Sequence, residues 1–420
     1  MKILVIDPVS SGRDLVEVLG RAEGTDLHVY SQQAPVEFTA PGQHSDPDPE
    51  LVDLLSGERF DRVLAGSERS VTAADWAASL VGVPGNVPEL IWHRRNKRGM
   101  VERAERAGLA APRTWLFRDE GELSEQDWAT AGLADGFVVK PAGSGGSDGC
   151  FICPGPDDVA DVARRVLGAR NLLGIANQEV LVQERVVGDQ YFVNVVSVDG
   201  SHLVTEVFRY GMDESGETPH IYSAWTIATD DPLYASSVAY VLRLLEALGV
   251  RDGASHTELR RSGDRWVLIE YNGRCMGPTV PTAVYRKDRG FSQVTVLADS
   301  VRYGFQAAEA AVADGRPDAC VGWHMPAPRQ DGELAGLDWG PAERLPTFAG
   351  VYDEPRLGQV FRTDGRVTTA SGGLLFFSDP DGALVDEDLR RSRLVELAGG
   401  YYRLGALPGA REVSRAGALS

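Results

Sequence analysis

The stretch that most restricts what this chain can fold into is Phe137-Val138-Val139-Lys140-Pro141-Ala142-Gly143-Ser144-Gly145-Gly146-Ser147-Asp148-Gly149-Cys150-Phe151-Ile152-Cys153. An apolar strand ends in a lysine, a loop of small residues follows, and a second short apolar strand returns. From Gly143 to Gly149 the side chains are glycine, serine and one aspartate, so the backbone N–H groups can approach an anion closely. Lys140 at the loop's base offers phosphate a point charge. Taken alone, such a loop is equally a flexible surface hairpin, and the rest of the chain has to decide between the two.

Composition narrows the choice. A chain of 420 residues, 43% hydrophobic and 25% charged, has room for two or three domains with a sizeable core. Its net charge of −19 argues against a nucleic-acid or anionic-membrane surface. An anionic small ligand would then need a local nest of Lys, Arg, backbone N–H groups and metal ion. The N-terminus has four consecutive apolar residues, Ile3 to Ile6, before Asp7 and Pro8. A secretory core needs roughly 7–15, so no signal peptide is read, and no run approaches the ~18 apolar residues of a membrane span. The four cysteines show no disulfide framework, and cytoplasm is the expected compartment. Cys150-x-x-Cys153 lacks a second Cys/His pair at metal spacing, so a structural role is expected there.

Along the chain, Ile3–Ile6 reads as a buried parallel strand, with a helix over 13–21, strands over 27–30 and 61–65, and a helix over 71–80. Strands alternating with helices imply an α/β layer, but the Gly-x-Gly-x-x-Gly fingerprint is missing after the first strand. Residues 31–50, with four prolines, read as a loop. A helix is expected from His93 to Ala107, its basic residues on a solvated face, and an acidic helix over 124–131. Residues 157–167 form an amphipathic helix. Strands over 192–198 and 201–210 pair across Asp199-Gly200, and residues 212–219 read as polar and mobile. A helix over 234–248 precedes strands 256–260 and 266–271. A helix-rich segment over 291–313 leads to a β-rich region over 321–404, with turns at Asp331-Gly332, Asp364-Gly365 and Asp381-Gly382. Residues 411–420 are expected to fray.

The chemistry concentrates in Glu258 and in Glu270-Tyr271-Asn272-Gly273-Arg274. Glu270 and Asn272, two apart on a strand, share a face opposite Glu258. Two carboxylates and an amide oxygen make a hard-oxygen site suited to Mg²⁺ bridging nucleotide phosphates. Arg274 extends the face with a fork that matches phosphate oxygens. A solvated edge with a surface ion pair is the plainer alternative. Val267, Leu268 and Ile269 place the strand inside a core, where unpaired carboxylates are costly.

Lys140 with its hairpin, the hinge Gln183-Glu184-Arg185-Val186-Val187, and His256-Thr257-Glu258 with Glu270-x-Asn272-x-Arg274 resemble the ATP-grasp superfamily over residues 96–299. Asn96-Lys97 is similar to the family's linker lysine. The resemblance implies an α/β (α+β) fold with an N-terminal Rossmann-like domain (1–95) and a helical linker (96–113). A small subdomain with the lid hairpin (114–186), a central subdomain with the metal site (187–304) and a β-rich C-terminal domain (305–420) would follow. It implies that Lys97 and Lys140 contact ATP phosphates and that the hairpin, with Ser144, Gly145, Gly146 and Ser147, closes over the triphosphate. Gln183 or Glu184 would accept the adenine amino group, and the backbone at Val186 or Val187 would read the ring edge. Glu258, Glu270 and Asn272 would hold one or two Mg²⁺, or Mn²⁺ in their place, and Arg274 would steady the transferring phosphoryl group. Where the family usually carries a ribose-binding glutamate, this chain has Gln190, preceded by Asp189.

More narrowly, Val5-Ile6-Asp7-Pro8-Val9-Ser10-Ser11-Gly12, Val204-Thr205-Glu206-Val207-Phe208-Arg209-Tyr210 and the β-rich tail are similar to bacterial L-amino acid ligases. That likeness implies ATP-dependent joining of two amino acids, or of an amino acid and another amine, through an acyl-phosphate. His256, sharing a face with Glu258, is a candidate to contact the substrate carboxylate or amine; His220, Tyr222, Arg209, Tyr210, Trp225 and Met276 are candidates to line its pocket. The alternatives are another ATP-grasp reaction, a carboxylase or purine-pathway ligase, and a non-catalytic nucleotide-binding protein. Partners are small molecules rather than nucleic acid or membrane. Quaternary state stays open, a homodimer included.

Overall fold

The structure, a computed structural model, describes residues 1–33, 35–36, 38–146, 148–171, 174–362 and 372–407. Ser147, the turn at Asp364-Gly365 and the tail 411–420 lie outside the described residues. No helix among the described residues is long and apolar enough to cross a membrane.

Three parallel strands, Asp26–Tyr30, Lys2–Ile6 and Arg62–Ala65 in that spatial order, form the N-terminal layer. Ile3, Leu4, Val5 and Ile6 are all buried, as an apolar run in a parallel sheet covered on both faces must be. At the strand ends two loops touch backbone to backbone, and a Cβ on Gly66 would lie 2.6 Å from the Pro8 Cα. The proline-rich stretch 31–50 is not all loop. It holds a short strand pair, Phe38–Ala40 with Gln43–His44. Pro49 opens a helix to Gly57 that Asp48 caps, accepting from the Glu50 N–H; proline suits a first helical position, where no N–H is needed.

The linker differs from the single helix expected. Ile91–Arg95 and Lys97–Arg106 are separate helices broken at Asn96, whose extended backbone (ψ 123°) and side-chain oxygen cap the second. Nor is the basic face all solvated: Arg94 is fully buried and pairs with Asp75, 2.8 Å away.

Four antiparallel strands, Thr114–Phe117, Val180–Glu184, Phe137–Pro141 and Phe151–Cys153, form a small sheet. The acidic helix expected over 124–131 is instead a helix at Glu120–Glu125 and a 3₁₀ turn at Trp128–Ala131, because Asp119 and Asp127 each cap a separate start.

The largest sheet has eight strands in the order Arg265–Asn272, Gly253–Ser262, Asp189–Val198, Ser201–Asp213, His220–Thr226, Cys320–His324, Leu374–Asp379 and Phe348–Tyr352. The helix Tyr234–Ala247 packs on one face and Gln293–Tyr303 on the other, each over its own apolar core. The last three strands come from the C-terminal region, which therefore continues the central sheet. That region also contains a sixteen-residue helix, Gly382–Leu397, which the β-rich reading lacked. Asp381-Gly382, read as a turn, is its start: the Asp381 carboxylate accepts from the Ala383 N–H.

Candidate active site

One cavity of about 330 Å³ opens between the small sheet, the linker and the large sheet. Lys97, Lys140, Ser144, Gly145, Gly146, Gln183, Glu184, Val186, Gln190, His256, Glu258, Glu270, Asn272 and Arg274 all line it. Val187, expected with Val186 to read the ring edge, does not line it: Val187 is 46% exposed, while Val186 is on the cavity wall.

The break at Asn96 turns Lys97 inward. Its ammonium pairs with Glu270 Oε1 at 2.8 Å and donates to the Ser144 carbonyl of the lid. Lys140 is buried, and that burial, reinforced by the charge of Lys97, pushes its ammonium below the usual lysine range. The lid turns through Gly146 (φ 66°) and Gly149 (φ 67°), left-handed conformations that glycine adopts without strain. A Cβ at Gly149 would also press on the Pro141 ring, 3.1 Å away.

The carboxylates face each other because the hairpin register shifts between Leu259 and Glu258: Leu259 lies opposite Leu268, Ile269 is passed over, and Glu258 then lies opposite Glu270 and His256 opposite Asn272. Like charges directly opposed are unfavourable without compensation. Lys97 serves Glu270. Glu258 accepts from Gln190 Nε2 at 2.8 Å and Tyr210 Oη at 3.2 Å, and lies 3.3 Å from His256 Nε2. Burial alone would raise the Glu258 carboxyl, but its bonds to His256 and Tyr210 and the Arg274 charge outweigh it and hold it below the usual range. Burial pushes the His256 imidazole down, and its Nδ1 lies 3.1 Å from Asn194 Oδ1. Glu258, Glu270 and the Asn272 amide bring two carboxylates and an amide oxygen to the one cavity, a donor type that suits a hard divalent cation. Arg274 is held through Nε by Glu68 of the N-terminal layer at 3.1 Å.

Gln190 does not stand open to a ligand. Its amide donates to Glu258 and accepts from Arg260 Nε at 2.9 Å. Arg260 in turn donates to the Val186 carbonyl at 2.8 Å and pairs with Glu214. Asp189 is outside the cavity, paired with Arg209 at 2.7 Å. The segment 212–219, expected to be mobile, roofs the cavity: Glu214 binds Arg260 and Arg185, and the Glu217 carbonyl accepts from the Ile152 N–H of the lid strand at 2.6 Å.

Among the expected pocket residues, Tyr210 lines the cavity; His220, Tyr222, Arg209, Trp225 and Met276 do not. Tyr222 lies under the Arg393 guanidinium and Met276 is core. Met212, Ile221, Arg260, Trp323 and Met325 were missed. Met212 follows Tyr210 by two, so alternation could have found it; Trp323 and Met325 arrive through a sheet neighbour a hundred residues on, for which the sequence carries no local signal. Cys150 lines the cavity and Cys153 is buried in the small-domain core, where burial pushes its thiol to about 11. All four cysteines are free.

Comparison with known proteins places this geometry. Residues 133–282 match the model of the ATP-grasp domain. Dapdiamide A synthase of Enterobacter agglomerans is 28% identical over 311 residues, 71% of this chain and 73% of that enzyme. The L-arginine-specific L-amino acid ligase of Bacillus subtilis is 21% identical over 220 residues, 52% of each chain. The crystal structure of an L-amino acid ligase from Bacillus licheniformis superposes with a TM-score of 0.73 at 16% identity, covering 96% of this chain and 98% of that one, which shows a shared fold.

Proposed function

We propose, from the premise that this chain is an ATP-grasp protein, that it is an ATP-dependent ligase joining the carboxylate of one amino acid to the amine of a second amino acid or related amine. The observation that carries this reading is the meeting of Lys97, Lys140 and Arg274 with Glu258, Glu270 and Asn272 in one cavity beneath a small-residue lid.

A carboxylate does not condense with an amine at neutral pH, because the group expelled would be oxide. Transfer of the γ-phosphoryl group to the carboxylate gives an acyl-phosphate and ADP. The amine then attacks the carbonyl carbon, the C–O bond to phosphate breaks, and the ammonium proton is lost as the amide forms. Positioning and charge neutralisation do most of this work. Lys97, Lys140 and Arg274 face the phosphates; Gln183, Glu184 and the backbone at Val186 face the base. Gln190 orients Glu258 and Arg260, so its part in ribose binding is indirect. Glu258, Glu270 and Asn272 would hold Mg²⁺, one ion or two, with Mn²⁺ as a substitute, and the ion supplies further neutralisation of phosphate charge. The lid and the 212–219 roof exclude water from the acyl-phosphate. Ile221, Pro278, Trp323 and Met325 give the amino-acid side chain an apolar wall.

A phosphate-release screen over all pairwise amino-acid mixtures tests the reading. Turnover rises for particular pairs, with ADP as the nucleotide product; stimulation by no pair, or release of AMP, overturns it.

A further inference from the structure

On the other side of the linker lies a second cavity, of about 390 Å³, that the ligase reading does not use. Asn96 lines it, while the next residue, Lys97, lines the candidate active site, so the linker elbow is the partition between the two. Three arginines from three separate segments line it: Arg69 from the 3₁₀ turn after the third parallel strand, Arg95 from the first linker helix, and Arg118 from the end of strand Thr114–Phe117. The lid's own base, Ala142 and Gly143, forms part of the wall.

The acceptors present satisfy these cations only in part: Arg118 pairs with Glu179 and Arg95 with Glu68, and Arg69 has no carboxylate partner among the described residues. Glu179 is the single carboxylate among the described lining residues. It is already engaged by Arg118 at 2.8 Å and by Asn96 Nδ2 at 3.0 Å. Arg95 donates through Nη2 to the Gly143 carbonyl at 3.2 Å, but its Nη1 is buried without a hydrogen-bond acceptor, 3.5 Å from Glu68. Arg69 donates through Nη2 to the Gln33 carbonyl at 3.0 Å and makes no ion pair among the described residues; its Nε is buried without an acceptor. A buried donor left unpaired costs ~1–3 kcal/mol, and such groups are expected to meet a water or an ion. In a chain of net charge −19, a concave site with surplus guanidinium is also against the average field.

We propose that this cavity is a second site, selective for a small oxyanion, phosphate or carboxylate, a pair of whose oxygens matches the guanidinium fork. Arg69 is its principal ligand and Arg118 its second. Because Arg95 and Gly143 join the site to the lid base, occupancy is coupled to lid position, and the coupling is reciprocal.

Calorimetric titration of the full-length protein with sodium phosphate, and separately with sodium acetate, tests the site in wild type, Arg69→Ala, Arg118→Ala and Lys140→Ala. Saturable binding of either anion, weakened at least tenfold by Arg69→Ala or Arg118→Ala and unchanged by Lys140→Ala, supports the proposal; the anion that saturates identifies the source. Arg118 is largely exposed, so its variant reports even if Arg69→Ala fails to fold. The absence of saturable binding by both anions overturns it. So does binding lost with Lys140→Ala but retained in both arginine variants, which would place the anion in the active site. Neither result depends on the ligase assignment.

Discussion

Glu270 shows how much one residue can be asked to do. It pairs with Lys97, faces Glu258 across the hairpin and completes the oxygen donor set. Glu270→Ala removes a proposed cation ligand and the ion-pair partner of the buried Lys97 ammonium, so ATP turnover should fall by at least ~10²-fold, the scale of losing one transition-state electrostatic contact. Steady-state ADP formation measures it, and a variant within threefold of wild type would sink the donor assignment. A second residue-scale expectation concerns Asp14 of the first helix. Burial raises its carboxyl to about 6, although it accepts from the Val280 N–H at 2.9 Å. A folded-state value above the unfolded one favours folding below about 4, and that contribution is lost as pH rises through about 6. Asp14→Asn should therefore gain stability relative to wild type at pH 7.5 but not at pH 4, read from paired thermal melts; equal shifts at both pH values contradict it. Alternation made Glu270, Asn272 and Arg274 legible as one face, but that Glu258 would lie opposite Glu270 rests on a register shift between Glu258 and Leu259 that a period of two does not carry. Gln190's commitment to Arg260 and Glu258 was not legible, since it depends on which strand lies alongside.

Among the elements, the linker and the lid set the site. Asn96 was visible as a residue of the linker motif, yet a fifteen-residue basic pattern concealed that its side chain would end one helix and cap the next. Asn96→Ala removes that cap and the bond to Glu179, costing about 1–2 kcal/mol of stability. The loss should appear as a lower denaturant midpoint together with a raised KM for ATP, because Lys97 loses its aim; an altered midpoint with unchanged KM would confine Asn96 to stability. In the lid, Gly149→Ala must adopt φ near 67° and press on Pro141. About 1 kcal/mol of backbone strain follows, expressed in kcat more than in melting temperature if closure limits turnover. The lid's composition announced its lack of side-chain bulk. The partners of the roof over 212–219 were not legible, as polarity says nothing about Arg260 and Ile152, which pair with it.

For the molecule as a whole, the eight-stranded sheet is the frame. Its first five strands lie within 280 residues of the N-terminus and its last three beyond residue 319. Four of its strands were readable, from alternation and the Asp199-Gly200 turn; the strand His220–Thr226 and the union of all eight into one sheet were not, because crossover order leaves no periodic trace. The wall formed by Trp323 and Met325 escaped notice with it. A fragment ending at Tyr303 would expose the edge of strand His220–Thr226 and the apolar face that Trp323 and Phe376 cover. It should aggregate in size-exclusion chromatography, whereas a monodisperse, nucleotide-binding fragment would show that the C-terminal strands are dispensable. The most direct test of the chemistry uses a carboxylate labelled with ¹⁸O, in the amino-acid pair that gives most phosphate release. Phosphoryl transfer to the substrate carboxylate predicts one ¹⁸O in the released phosphate, with ADP formed in equal amount; unlabelled phosphate, or label appearing in AMP, would contradict it.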